Sequence, residues 1–313
     1  MDKNEENSRS FLARFLIYQK ERFPVLAHGI MILAFTFSAV SYSRICRGQT
    51  GFIDGFDFAI GVFATITLFF LVRIFDEFKD KEDDAKYRSY LPVPRGLISL
   101  KELQITGWVV IILQLLVLAV FQGAMLYLYL VVLAYLLLMR VEFFVPTWLK
   151  KRQLAYILSH MLIIPLVDMY ASGLDWLLDG AEPHWGLVWF FAVSYVNGLV
   201  LEFGRKMKAP GFEEVGVVSY TGLYGSRGGP IIWIVLLLFT MLLAMGASVY
   251  TNYGWMAHLV FALFFVLCSL PGWMFLIKPT VKKAKLMEYA SVIWTALMYL
   301  ALGGIPMLTN LLF

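Results

Sequence analysis

The sequence predicts an all-α polytopic membrane protein with nine transmembrane helices around a central cavity and a cytoplasmic N-terminus. Composition is the first reason: hydrophobic residues make up 60% of the 313 residues, and the mean hydropathy is +0.74. Soluble domains are roughly 45–50% apolar. The second reason is that the apolar residues gather into nine runs, each near the length of about 20 residues that a helix needs to cross the hydrocarbon.

Short polar breaks separate most of the nine runs, which favours antiparallel packing of neighbouring helices. The tail of residues 1–23 is polar and lacks the features of a removable signal peptide. Residues 24–313 are predicted to form a single transmembrane domain. The expected spans are 24–43, 56–75, 102–121, 124–141, 153–172, 185–203, 229–249, 255–276 and 288–310.

Basic residues predict the orientation of the chain. All of them except Arg44 and Arg47 lie in the N-terminal tail or in alternate loops. The positive-inside rule places that tail and those loops in the cytoplasm. The two longest connections, at about 76–100 and 202–229, are both on this side and are the candidate active-site loops.

The first of these loops carries a ladder of carboxylates. Asp76, Asp80 and Asp84 are spaced four residues apart and directly follow the second apolar run. On a helix this spacing brings them onto one face, where like charges repel each other. A divalent cation would relieve that repulsion, and oxygen ligands suit Mg²⁺. A solvated charged loop is the alternative, but the helical spacing beside a buried span favours the metal.

The residues after the ladder predict a turn and a new helix. Pro92, Pro94 and Gly96 stop the helix, and Ser99 is placed to cap the next span. Arg88 and Arg95, on either side of this point, are candidates for binding phosphate.

This stretch resembles the UbiA superfamily of intramembrane prenyltransferases. That family has acids at four-residue intervals, followed by R-P-x-x-x-G-x-I-S. Two positions depart from the pattern, because Asp76 stands for the usual Asn and Leu91 for the Arg, whose charge Arg88 could replace. The matching residues are Asp76, Asp80, Asp84, Pro92, Gly96, Ile98 and Ser99.

The resemblance also predicts a second acidic motif after the sixth span. Its tail is matched in spacing by Gly216, Ser219 and Gly225, whereas its acids are matched less well. A charge cluster at the end of a loop is the alternative. The candidates are Glu202 as a catalytic and metal-binding acid, Glu213 and Glu214 as further metal ligands, and Arg205 and Lys206 as diphosphate contacts.

A weaker likeness lies at 146–151, between the fourth and fifth spans. Lys150 and Lys151 could reach a phosphate there, although the positive-inside rule explains both residues equally well. Two polar residues inside predicted spans, Asn197 and Asp168, are candidates for binding an acceptor or a carbocation, or for removing a proton.

The resemblance implies a Mg²⁺-dependent prenyltransferase that ionises an isoprenyl diphosphate and transfers the prenyl group to an acceptor, with an aromatic compound expected. In such a reaction Asp76, Asp80 and Asp84 hold the metal and the diphosphate. A UbiA-type terpene cyclase, which needs no acceptor, is the first alternative. A membrane transporter is the second, although its site would be expected near the midplane rather than at helix ends. Membrane lipid is an expected partner, nucleic acid is not, and the oligomeric state stays open.

Overall fold

The computed structural model describes residues 9–214, 216–251 and 253–312, and this part of the chain is helical and contains no strand. Nine helical stretches within it are long and apolar enough to span a membrane, which confirms the predicted number. They are Val25–Cys46, Gly55–Lys79, Leu100–Phe121, Gly123–Arg140, Gln153–Trp176, Gly186–Arg205, Tyr220–Thr251, Gly254–Ile277 and Val281–Leu312. The chain is therefore a multi-pass membrane protein, and the orientation of its N-terminus stays a prediction.

Fourteen α-helices in the described residues make up these spans and the segments beside them. In chain order they are α1 Phe11–Arg22, α2 Val25–Cys46, α3 Gly55–Lys79, α4 Lys81–Tyr87, α5 Leu100–Phe121, α6 Leu126–Arg140, α7 Pro146–Lys150, α8 Gln153–Met161, α9 Ile163–Trp176, α10 Gly186–Arg205, α11 Tyr220–Ser248, α12 Gly254–Ile277, α13 Val281–Tyr299 and α14 Ile305–Leu312.

Two helix ends differ usefully from the sequence-based expectation. Helix α3 continues to Lys79, so it carries Asp76, the first residue of the acidic ladder. Helix α11 starts at Tyr220, nine residues before the predicted span, because the Ser219 hydroxyl accepts a hydrogen bond from the Gly222 amide and caps it. Hydropathy detects only the apolar part of this helix, whose polar first turns are interrupted at Gly225. The loop after the sixth span is accordingly shorter than predicted.

Capping at the start of α5 follows the predicted pattern. The Ser99 hydroxyl accepts a hydrogen bond from the Glu102 amide, and the Glu102 carboxylate accepts one from the Ser99 amide. This reciprocal pair satisfies two amides that the helix itself cannot. The turn before it closes through a hydrogen bond from the Leu97 amide to the Pro92 carbonyl, with Gly96 at φ 81°.

The chain divides into two compact units. Unit one contains residues 9–33 and 55–156, and in it α3 packs against both α5 and α6. Unit two contains residues 34–54 and the described residues from 157 to 312. In unit two, α10, α11, α12 and α13 each contact the next helix, and α13 contacts α10, which closes a four-helix ring.

A very close helix approach in unit two depends on Gly303. A Cβ atom at this position would lie 2.1 Å from the carbonyl oxygen of Ser38, which is backbone and cannot rotate away. Small residues allow such approaches between helices in membranes. At Gly29, in unit one, the nearest atom to an added Cβ is the Ile66 Cδ1 at 4.0 Å, so this glycine has room for a methyl group.

We expect Gly303→Ala to destabilise the protein by about 1–3 kcal/mol, because the helices must separate to admit the methyl group. Gly29→Ala should instead stabilise it by up to about 1 kcal/mol, because alanine is the better helix former. Thermal unfolding midpoints measured in one detergent would separate the two variants. Equal midpoints would contradict the close approach at Gly303.

Candidate functional site

The three aspartates of the ladder lie on successive helical turns in unit one. The amide of Asp80 donates to the carbonyl of Asp76 at 2.9 Å, and the amide of Asp84 donates to that of Asp80 at 2.8 Å. The helical hydrogen-bond register is therefore kept although α3 ends at Lys79 and α4 starts at Lys81. This register places the three side chains one above the next.

The first rung of the ladder is neutralised by neighbouring cations. The Asp76 carboxylate lies 2.9 Å from the Lys79 ammonium and 3.7 Å from the Arg73 guanidinium. The Lys79 ammonium also lies over the ring of Tyr156, 5.4 Å from its centroid. These contacts place two positive charges next to the Asp76 carboxylate.

Asp84 has a different environment, because it is buried without hydrogen bonds. Its side chain is only 2% exposed, and within the described part of the chain neither carboxylate oxygen accepts a hydrogen bond. Arg88 supplies the nearest charge, with its Nη1 3.2 Å from Oδ1. Burial raises the pKa of Asp84, and Arg88 opposes that shift. Burial also raises the pKa of Asp80, which Lys79 opposes.

A buried group of ion pairs is centred on Glu77, the residue next to Asp76 in α3. The Oε1 atom of Glu77 lies 2.7 Å from Arg22 Nε and 3.0 Å from Arg73 Nη2, and the Glu77 side chain is 1% exposed. Arg22 ends α1, so this pair links the N-terminal helix to the ladder. Sequence reasoning missed this centre. Arg73 could have been identified by its four-residue spacing from Glu77, but nothing in the sequence indicates Arg22.

The cations predicted to bind phosphate are placed unequally. Arg95 forms two hydrogen bonds of 2.7 Å to the carboxylate of Glu21 and would have to leave it to reach a ligand. Lys150 lies 3.4 Å from Asp83, and both side chains are about half exposed. Lys151 is exposed.

A strained turn adds another buried carboxylate to this region of unit one. Glu142 is 7% exposed and begins a run of three non-glycine residues with positive φ, at 48°, 54° and 62°. Burial raises its pKa, while the charges of Lys150 and Lys79 act against that rise. Backbone of this kind persists only where the surroundings enforce it. The sequence around Glu142 gives no sign of the turn, because it contains neither glycine nor asparagine.

The second acidic motif, in unit two, is already neutralised. Glu202 is 7% exposed and forms ion pairs with Arg205 and with Lys206, whose Nζ lies 2.6 Å from Oε1. Glu213 and Glu214 are exposed: Glu213 accepts a hydrogen bond from the Gly211 amide, and Glu214 lies 3.5 Å from Lys208 Nζ. The sequence expectation that Glu202, Glu213 and Glu214 act together as metal ligands gains no geometric support here.

A buried polar cluster lies inside the spans of unit two. Tyr299 donates a hydrogen bond of 3.2 Å to Asp168 Oδ2, and its hydroxyl lies 2.7 Å from that of Ser194. Asp168 is fully buried, and its other oxygen accepts no hydrogen bond within the described residues. Asn197, one turn from Ser194 and 1% exposed, likewise uses neither end of its amide in that part of the chain. Ser194 and Tyr299 were not identified from the sequence.

The donor set of unit one suits Mg²⁺ with a phosphate ligand. No group of three or more His, Cys, Asp or Glu side chains is assembled for a metal among the described residues. Mg²⁺ does not require one, because it is usually bound by one or two carboxylates, waters and substrate phosphates. Asp84 offers such a carboxylate, since its oxygens accept no hydrogen bond among the described residues.

Comparison with known proteins identifies the fold. No protein-family profile matches the sequence, and no curated protein is significantly similar to it. Among solved structures, a UbiA homologue from Aeropyrum pernix K1 matches with a TM-score of 0.66 and 15% identity, over 91% of this chain and 98% of the other. A digeranylgeranylglyceryl phosphate synthase matches with a TM-score of 0.60 and 16% identity, over 93% and 99%. The UbiA-type fold that the motifs predicted is confirmed.

Removing the Glu77 carboxylate should destabilise unit one strongly. We expect Glu77→Ala to cost about 3–5 kcal/mol, because Arg22 and Arg73 would be left close together without their shared counter-charge. The measurement is the unfolding midpoint in detergent, with the exposed Glu82→Ala as a control. A Glu77→Ala midpoint equal to that of the control would show that the buried pair does not hold the site.

Proposed function

Because the chain has the fold of the UbiA homologues, we propose that it is a Mg²⁺-dependent intramembrane prenyltransferase acting on an isoprenyl diphosphate. The observation that carries the proposal is Asp84, a buried carboxylate one helical turn beyond Asp80, neither of whose oxygens accepts a hydrogen bond from the residues that the structure describes. A buried charge without hydrogen bonds is costly. A cation that binds there together with a diphosphate would offset that cost.

Asp80 and Asp84 are the residues proposed to hold Mg²⁺, and Asp76 is proposed to act mainly through its pairing with Lys79. When bound, the metal supplies positive charge that makes the diphosphate a better leaving group. Arg88, already beside Asp84, is placed to follow the phosphate oxygens as negative charge develops on them.

The remaining cations have graded roles under this proposal. Lys150 and Lys151 can turn towards a phosphate at little cost, because they are exposed and the ion pair of Lys150 with Asp83 lies at the surface. Arg95 would have to give up its two hydrogen bonds to Glu21 and one to the Tyr90 carbonyl, so its role would be to position the turn rather than to bind substrate.

In unit two we assign phosphate binding to Arg205 and Lys206 rather than metal binding to Glu202. Glu202 already shares its charge with both cations, so it offers a metal little unbalanced negative charge. The Arg205 side chain is 61% exposed although it pairs with Glu202, so a phosphate can approach it from solvent. Glu213 and Glu214 stay candidates for a metal only if the loop rearranges.

The acceptor is proposed to bind at the buried cluster of Asp168, Ser194, Asn197 and Tyr299. As the acceptor forms its bond to the prenyl carbon, it must release a proton, and we assign the acceptance of that proton to Asp168, the carboxylate of this cluster. The side-chain amide of Asn197, which has no hydrogen-bond partner among the described residues, offers both a donor and an acceptor to a hydroxyl or carbonyl group.

The identity of the acceptor follows from product analysis. An aromatic compound is the first candidate. A glyceryl phosphate lipid is the second, because one structural neighbour is a digeranylgeranylglyceryl phosphate synthase. A terpene cyclase would release a cyclic hydrocarbon or alcohol with no acceptor present, and a transporter would release no diphosphate.

Asp84→Asn should lower Mg²⁺-dependent diphosphate release at least about 100-fold, the effect typical of losing one group that stabilises developing charge. The matched control is Asp83→Asn, one residue away but exposed and paired only at the surface. It should change the rate by about fivefold or less. Rates would be measured on purified protein with a panel of prenyl diphosphates. If both variants behave alike, Asp84 does not hold the metal.

Asp168→Asn should uncouple the two halves of the reaction. Diphosphate release should continue, while prenylated product per diphosphate released should fall about 100-fold, within the range for a lost general base. Asp179→Asn is the control, since Asp179 is about half exposed and pairs with Arg47. Equal loss of release and of transfer would remove Asp168 from the acceptor step.

A further inference from the structure

The N-terminal helix α1 is attached to unit one by ion pairs as well as by packing of Tyr18, which is fully buried. Three of its four ionic side chains form ion pairs within unit one. These pairs are Arg14–Glu102 at 2.6 Å, Arg22–Glu77 at 2.7 Å and Glu21–Arg95 at 2.7 Å. Arg14 also donates to the carbonyl of Leu97, in the turn that follows the ladder.

The outward face of α1 is apolar. Phe11 is 44% exposed, Leu12 66% and Leu16 55%. A helix on a water-facing surface presents its charges outwards and its apolar residues inwards. Three exposed apolar side chains within two turns are the pattern expected of a helix that lies against an apolar medium.

This apolar face is continuous with the lipid-facing surface of the first span. Leu26 is 81% exposed and Ile30 64% exposed on α2, which starts three residues after α1 ends. An open groove of about 500 Å³ runs between them, lined by Leu16, Gln19, Lys20, Pro24, Val25 and Leu26. Lys20 lines this groove and is exposed, and a lysine beside an apolar surface can pair with a lipid phosphate.

We propose that α1 is an in-plane helix at the membrane surface, with Phe11, Leu12 and Leu16 in the lipid, and that it fastens the acidic ladder to the bilayer. The occupant of the apolar face is membrane lipid, because the face continues a surface that lipid must already cover. The helix α1 is attached to this region through its ion pairs with Glu77 and Arg95, which flank the ladder and the turn after it. This inference does not depend on the proposed enzymatic function.

Site-directed spin labelling tests the location of α1 directly. Cys46 and Cys268, the only cysteines in the chain, would be replaced by Ser, and single cysteines would be introduced at Leu12 or Leu16 in the full chain in lipid nanodiscs. Two positions calibrate the experiment: Ile112, which is 53% exposed on the spanning helix α5, and Glu82, which is exposed on α4.

Labels at Leu12 and Leu16 should collide more with oxygen than with a water-soluble nickel chelate, as at Ile112, whereas Glu82 should show the reverse. Collision behaviour like that of Glu82 would overturn the proposal. Low collision with both reagents, together with spin–spin coupling between chains, would also overturn it, because a second copy would then cover the face.

The attachment of the ladder through α1 is tested separately. In the pair Leu12→Glu and Leu16→Glu, amide hydrogen exchange across α4 should speed up by about tenfold or more, because the ladder loses its anchor. The matched pair Leu12→Met and Leu16→Met, which keeps the face apolar, should leave exchange unchanged. If exchange across α4 is the same in both pairs, α1 does not fasten the ladder.

Discussion

The interior of a bilayer tolerates charge only where it is paired or lies near a helix end, and this constraint shapes unit one. The acidic residues begin in the last turn of α3 and continue across a helix break without loss of register. The most deeply buried of them, Glu77, is shared by Arg22 and Arg73. Because the Glu77 charge is paired in this way, the following turns can carry further carboxylates that are less fully paired.

Two buried carboxylates show how the same chemical group is used for different purposes. Glu202 lies between two cations, so it stabilises a helix end and holds their side chains in place. Asp84 has one cation beside it, and within the described part of the chain neither of its oxygens accepts a hydrogen bond. The difference lies in the partners rather than in depth, since the two side chains are similarly buried. A buried carboxylate whose oxygens lack hydrogen bonds is a candidate for ligand binding, whereas one held between two cations fits a structural role.

Much of the fold could be predicted from the sequence because membrane insertion depends on local properties. The length of apolar runs predicts the number of spans, and the Ser99 cap follows from residue type and position. The start of α11 was missed because its first turns are polar and hydropathy does not register them.

The candidate site was only partly predictable. The four-residue spacing of Asp76, Asp80 and Asp84 identifies a ladder, because a helix converts spacing into proximity. Spacing says nothing about Arg22, which reaches Glu77 from 55 residues away. It also cannot distinguish Asp84 from Asp80, since burial and the supply of hydrogen bonds depend on how the helices pack.

The turn at Glu142 has a mechanical consequence. Three successive non-glycine residues in the left-handed region each cost about 1–2 kcal/mol, so the backbone between the fourth and fifth spans is strained. Interactions that hold Glu142 in place must offset this strain, and the electrostatic attraction of its carboxylate to Lys150 and Lys79 is one of them. A polyanion that drew Lys150 and Lys79 away from Glu142 would remove this attraction and let the backbone of the connection relax. Arrival of a ligand and movement of the backbone would then be a single event.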